Sequence, residues 1–212
     1  MLIIGYDPGG EKKNGVALLR HVGCRIDSAS CHTCDCVDQA LAWIHEQVGK
    51  GNIDAAGIDS LLSWGSGPGG WRPMDQVIRK HYREVLLSVM SPNSLRGSMA
   101  LQGMSFAMEL RALQPAVKLN ETHPKVQYYA TTGKKHDFKG ASSEMTKWLL
   151  DQLHPSLDFR VANDHEWDAL FSAWATLMGL SGGWTNDLIR HARNEKLITP
   201  AGEVTYYWPE NV

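Results

Sequence analysis

Four places along this 212-residue chain put a carboxylate where metal chemistry needs one. Three apolar runs each end in an acid: Leu2-Ile3-Ile4-Gly5-Tyr6-Asp7, Ala55-Ala56-Gly57-Ile58-Asp59 and Ala116-Val117-Lys118-Leu119-Asn120-Glu121. The fourth, Asn163-Asp164-His165-Glu166-Trp167-Asp168, opens an apolar helical pattern near the C-terminus. Oxygen donors from strand ends and a helix start suit a hard divalent cation, Mg²⁺ or Mn²⁺, better than zinc. Without a cation, each close carboxylate pair would repel by about 4 kcal/mol at an effective dielectric of about 20. Convergence therefore demands an ion.

The elements that must position these acids follow from the hydrophobic pattern. A strand ends at Asp7, a Gly/Lys-rich turn spans Pro8 to Asn14, and a second strand covers Gly15 to Arg20. A third is expected around Ile26 to Thr33. Val37, Leu41, Ile44 and Val48 then fall on one helical stripe, closed by Gly49. Ala55 to Ile58 lacks polar alternation, as a strand covered on both faces does. Helices are expected over Met74 to Ser88, Leu95 to Leu113 and Ser143 to Leu153, with a fifth strand ending at Glu121. A last helix should run from Asp164 to Leu180, and a hairpin around Ala201-Gly202 should close the chain.

Strands one, four and five are each reached through helix-containing crossovers, so they should run parallel, with their C-terminal ends on one sheet edge. Asp7, Asp59 and Glu121 would share that edge. In Gly5-Tyr6-Asp7 and Gly57-Ile58-Asp59 the glycine lies on the same face as the aspartate, which invites a closely packed helix. The last helix fits, because Asp164, Asp168, Phe171, Ala175 and Met178 form one stripe that is apolar except at its N-terminal end. Asn163 as N-cap with Glu166 three residues on resembles a capping box, which assigns Glu166 to backbone hydrogen bonding and favours Asp168 over Asp164 as a ligand.

The remaining composition bounds the answer more loosely. With 43% hydrophobic residues and a net charge of −2, the chain is expected to be a single domain over residues 1–212 with no broad basic field. It shows no membrane-length apolar run and no leader pattern, and its four cysteines (Cys24, Cys31, Cys34 and Cys36) crowd one short stretch, so a cytoplasmic setting is expected. The Cys-x-x-Cys-x-Cys spacing invites a zinc reading, but it straddles a strand-to-helix junction and lacks a second knuckle. The Gly/Pro-rich segment Ser63 to Pro73 reads as a surface loop over the strand ends, with Arg72 as the basic residue best placed for a phosphate. Lys134 and Lys135, in the polar loop from Thr131 to Ala141 that also carries His136 and Lys139, are further candidates for a phosphate backbone.

These residues carry a family resemblance. The order strand-Asp, two strands, helix, strand-Asp, strand-Glu and a terminal helix with His-x-x-Asp-Ala resembles the RNase H-like fold. Asp7-Pro8-Gly9 with Asn14-Gly15-Val16-Ala17, and His165-Glu166-Trp167-Asp168-Ala169-Leu170, resemble the opening and closing motifs of RuvC-type Holliday-junction resolvases. Ile58-Asp59, Trp71-Arg72-Pro73-Met74-Asp75, Asn120-Glu121-Thr122-His123-Pro124 and Asp168-Ala169-Leu170 look more similar still to a family of predicted nucleases on that fold. The resemblance implies a mixed five-stranded sheet of order 3-2-1-4-5 flanked by helices. It also implies a two-metal nuclease acting on DNA or RNA. In it Asp7 bridges the ions, Asp59 and Asp168 complete their ligation, Glu121 serves as ligand or base, and His165 assists proton transfer. RuvC-type enzymes usually carry glutamate at the place of Asp59.

Each residue alone has a plainer explanation. Asp7-Pro8-Gly9 is good turn chemistry, Asn120 to Pro124 can simply leave a strand, and single histidines are commonly just hydrogen-bonded. Two other functions share the fold: a nucleotide- or phosphate-binding ATPase-like relative of actin and the sugar kinases, and a non-catalytic interaction module. Only one Asp-x-Gly turn is present, which weighs against the first.

Overall fold

A strand buried at every position must lie inside a sheet covered on both faces, and β1 (Leu2–Asp7) is such a strand in the computed structural model. The structure describes residues 1–49, 51–95, 97–153, 160–192, 197–210 and 212. β2 (Asn14–Val22) folds back antiparallel on β1, and β3 (Arg25–Cys34) on β2. α1 (Val37–Val48) leads to β4 (Ala55–Ile58), which runs parallel to β1. β5 (Trp64–Gly65), α2 (Pro73–His81) and α3 (Gly97–Leu113) precede β6 (Lys118–Glu121), parallel to β4. α4 (Pro124–Thr132), α5 (Phe138–Leu153) and α6 (Asp164–Leu180) follow. The short strands β7 (Asn186–Asp187), β8 (Leu197–Ile198), β9 (Val204–Thr205) and β10 (Tyr207–Trp208) end the chain.

The main sheet has the order β3-β2-β1-β4-β6-β9. Its first five members reproduce the expected 3-2-1-4-5 arrangement, a mixed sheet between helices of the RNase H-like kind, and β9 adds a sixth strand parallel to β6. The expected terminal hairpin does not form. β8 pairs with β5, β9 with β6 and β10 with β7, so the strands flanking Ala201-Gly202 go to different sheets. The reason is the open edge of β6, whose unpaired backbone groups offer β9 a better partner than a marginal two-residue ribbon would. No helix among the described residues is long and apolar enough to cross a membrane.

The helices also differ from expectation in two boundaries and one added element. α2 stops at His81 and gives way to a 3₁₀ segment over Arg83–Ser88. α5 begins at Phe138, five residues early, with a break at Ala141. α4 was not foreseen, although Pro124 sits at its first turn, where a ring without an N–H costs nothing.

Two glycines let α6 settle onto the sheet. A Cβ at Gly5 would lie 1.7 Å from the Ala169 carbonyl oxygen, and one at Gly57 would lie 2.1 Å from that of Ser172. The helix face meeting the strands is therefore Ala169, Ser172, Ala173 and Thr176, one position round from the predicted stripe. Phe171 and Trp174 instead face Trp148 of α5 and, for Trp174, Trp184. Covered on both sides, α6 is buried at every residue from Glu166 to Leu177. Gly57→Ala should lower the unfolding free energy by about 3 kcal/mol or more, because the obstructing atom is backbone. Gly67→Ala, with open space around it, should change it by no more than about 0.5 kcal/mol. Urea denaturation of both variants checks this.

Candidate metal centre

Strand register decides which acids meet. Tyr6 pairs with Ile58, and Ile58 with Glu121, so these three lie level and point to one face of the sheet. Asp7 and Asp59 come one residue later and point to the other face, toward α6. The Asp59 N–H donates to the Tyr6 carbonyl at 2.9 Å, which carries the ladder one step past β4. On the third strand the residue in that row is Thr122, whose N–H donates to Ile58 O and whose hydroxyl donates to Ser172 Oγ at 2.8 Å. Glu121 was expected beside Asp7 and Asp59, but it is out of phase by one residue.

α6 supplies the third carboxylate. Asp7, Asp59 and Asp168 each present one ligand oxygen, and these oxygens all lie within 4.8 Å of one another. Asp7 and Asp168 are buried and Asp59 is half-buried. Gly15, opposite Asp7 in β2, opens the way for the helix start: a Cβ there would sit 1.9 Å from the His165 carbonyl oxygen. An all-oxygen donor set of this size fits a hard divalent cation such as Mg²⁺ or Mn²⁺.

Electrostatics point the same way. Burial first, then the charges of Asp168 and Asp59, raise the Asp7 pKa well above the ordinary carboxylate range. Burial and then Asp168 raise that of Asp59. Lys125, at the second position of α4, answers this field: burial pulls its pKa down, but the carboxylates of Asp168, Asp59 and Asp7 outweigh that and raise it. Two histidines bond the triad from outside, His165 Nδ1 to Asp7 Oδ2 at 2.6 Å and His136 Nε2 to Asp168 Oδ1 at 2.8 Å. Lys125 escaped the sequence reading, and His136 was read only as part of a polar loop. The useful signal was the unforeseen α4, which swings Lys125 to the strand ends and begins the excursion that returns His136 to α6.

The other anticipated residues lie elsewhere. Glu121 is fully buried and gripped by Arg72, with Nη1 to Oε2 at 2.8 Å and Nη2 to Oε1 at 2.6 Å, while the Leu62 N–H also donates to Oε2. Arg72, expected to reach a phosphate, is itself fully buried and turns its remaining donors to Asp75 and Ser63. A guanidinium holding two carboxylates at once is a fastener for the Ser63 to Pro73 segment. Asp164 is half-exposed and 3.9 Å from His165 Nε2, outside the triad. Lys134 is exposed and paired with Glu144, and Lys135 is exposed. Asn163 Oδ1 accepts from the Glu166 N–H as an N-cap should, while the Glu166 carboxylate takes the Ala162 N–H at 2.7 Å and the Thr33 hydroxyl at 2.9 Å. The four cysteines are free thiols, and none joins a metal-ligand group among the described residues.

No family model matches the chain, and no curated protein matches its sequence. Among solved structures it is similar to T. thermophilus RuvC in complex with a Holliday junction substrate. The identity is 11%, the TM-score 0.43, and the alignment covers 86% of this chain and 97% of that one. The site stands on its own distances.

With a raised pKa, folded Asp7 keeps a proton that the unfolded chain has already released. The metal-free fold should therefore lose stability as pH rises from the ordinary carboxylate range through the raised value. Asp7→Asn removes that penalty and should raise the metal-free melting temperature at pH 7 by about 2–4 °C, roughly 1 kcal/mol. Arg72→Met strands two buried carboxylates and should cost about 3–5 kcal/mol. Thermal melts in EDTA across pH 4 to 8, roughly the span over which a raised carboxyl titrates, check the first. Urea denaturation checks the second.

Proposed function

We propose that this chain is a nuclease that hydrolyses nucleic-acid phosphodiester bonds with Mg²⁺ or Mn²⁺ held by Asp7, Asp59 and Asp168. The observation that carries this reading is the convergence of those three oxygens within 4.8 Å on the face where two parallel strands end. Burial and the neighbouring carboxylates raise the pKa of Asp7 and Asp59, which a structural role would not require and a cation would relieve. When bound, such ions activate a water and stabilise charge on the leaving oxygen.

The chain's own residues do the rest. Asp7, Asp59 and Asp168 would hold the ions together, since their ligand oxygens all lie within 4.8 Å of one another. His165 Nδ1–H donates to Asp7 Oδ2, and with the side chain a quarter exposed its Nε2 is left to accept the proton that an attacking water would release and to hand it to solvent. Lys125 faces the carboxylates and gives a phosphate group a positive neighbour that does not depend on the ion. Lys134 and Lys135, exposed in the segment after α4, are open to a nucleic-acid backbone, Lys134 by exchanging Glu144 for a phosphate. Glu121 and Arg72 act indirectly in this reading, by fixing the segment behind Asp59.

Labelled single-stranded, double-stranded and four-way-junction DNA and matched RNA, incubated with Mn²⁺ or Mg²⁺, test the proposal. Wild type should cleave at least one substrate, and Asp7→Asn and Asp168→Asn should each lower kcat by about 100-fold or more, as loss of a charge-stabilising ligand does. Lys125→Ala should weaken substrate binding and reduce its salt dependence by about one phosphate contact. Equal cleavage by all these proteins would overturn the assignment.

A further inference from the structure

His136 is out of place for a loop residue. Its side chain is 7% exposed although Lys134, Lys135 and Asp137 around it are exposed, and its ring meets the buried Trp167 edge to face at 5.2 Å. The backbone on either side is pinned. Gly133, in the left-handed region at φ 70°, caps α4 with its N–H on the Tyr129 carbonyl, and the Asp137 carboxylate and carbonyl take the N–H groups of Gly140 and Ala141 at the start of α5. His136 thus sits on a short bridge between two helix ends, aimed inward, and among the described residues its hydrogen-bond partner is Asp168 Oδ1. A carboxylate offers only lone pairs, so Nε2 carries the hydrogen.

We propose that His136 is a positioning residue of the metal centre: its Nε2–H fixes the carboxylate of Asp168 so that the second oxygen faces Asp7 and Asp59. This rests on the reading of the triad as a cation site. His136 falls outside the group of mutually close ligand atoms, so it acts on the ion through Asp168. The need for it follows from where the three acids come from. Asp7 and Asp59 come from neighbouring strands and Asp168 from a helix, and each carboxylate hangs from its backbone by two rotatable bonds. A terminal carboxylate torsion is broad and nearly two-fold, so packing alone leaves the ligand oxygen poorly aimed. A hydrogen bond to the non-ligand oxygen removes that freedom, and outer partners of this kind commonly contribute 10- to 100-fold to metal affinity. His165 has the matching place on Asp7, so the triad is gripped at both ends.

The test separates the hydrogen bond from the bulk of the ring. His136→Gln keeps an N–H at similar reach, while His136→Met fills the space beside Trp167 without a donor, and His136→Ala serves as a second donor-free variant. The readout is the Mn²⁺ dissociation constant from the electron paramagnetic resonance signal of free ion, on the full chain, with EDTA-treated samples followed by urea denaturation to register folding separately. The donor-free variants should bind Mn²⁺ about 10- to 100-fold more weakly than wild type. His136→Gln should stay within about threefold of it, most of the outer-partner effect being retained. Mn²⁺ affinity unchanged in the donor-free variants, or reduced equally in all three, would overturn the positioning role while leaving the triad intact. Wild-type protein that binds no Mn²⁺ would overturn the triad reading and the role of His136 with it.

Discussion

The packing of α6 against β1 and β4 is the constraint from which the rest of the molecule follows. A helix normally stands off a sheet by the length of its side chains, and here two glycines cancel that distance until carbonyl oxygens of the helix occupy the space of missing Cβ atoms. Only at this separation can a side chain as short as aspartate span from the helix to the strand ends. The same closeness explains why the facing residues of α6 are Ala169, Ser172, Ala173 and Thr176, and why the small polar ones back-bond to the helix itself, Ser172 to Asp168 O and Thr176 to Ser172 O. Burying a helix this deeply leaves its outer side to be covered, and α4, α5 and the aromatic set Tyr128, Trp148, Trp167, Phe171 and Trp174 cover it.

The second organising element is the Arg72 network on the opposite face of the sheet. Arg72, Asp75 and Glu121 are buried together, one cation against two acids, and burial raises the Glu121 pKa even though Arg72 opposes it. Such an arrangement is costly unless each partner is fully bonded, and each is. It pins the start of α2 and the Gly-rich segment to the end of β6. By holding the Glu121 charge on a guanidinium, it also limits how much negative field reaches Asp59 from behind, where Glu121 still contributes to raising the Asp59 pKa.

Much of this was legible in the chain. The strand order, the crossover logic and the paired Gly-x-Asp patterns follow from period-two reasoning, and that reasoning also anticipates a helix on the Gly5 and Gly57 face. What escaped it was phase. Asn120-Glu121-Thr122 aligns with Gly5-Tyr6-Asp7 residue for residue, so the acid falls in the row of Tyr6 and the threonine in the row of Asp7. Pairing register is set by the assembled sheet, and a slip of one residue turns every side chain to the other face. Arg72 escaped for a different reason: a Gly- and Pro-rich context reads as surface, and nothing local announces that Glu121, forty-nine residues on, needs a partner. His136 and Lys125 depended on α4, which a lone proline signalled too faintly.

Because Asp7 ends β1 and Asp59 directly follows the adjacent, parallel β4, the backbone gap between them is the inter-strand repeat, about 4.8 Å, a spacing no loop movement can reset. Asp168 is the only one of the three whose distance depends on how tightly a helix lies. The cluster therefore behaves as a gauge with two fixed stops and one adjustable one. How near Asp168 comes to the other two is written into the thickness of two glycines.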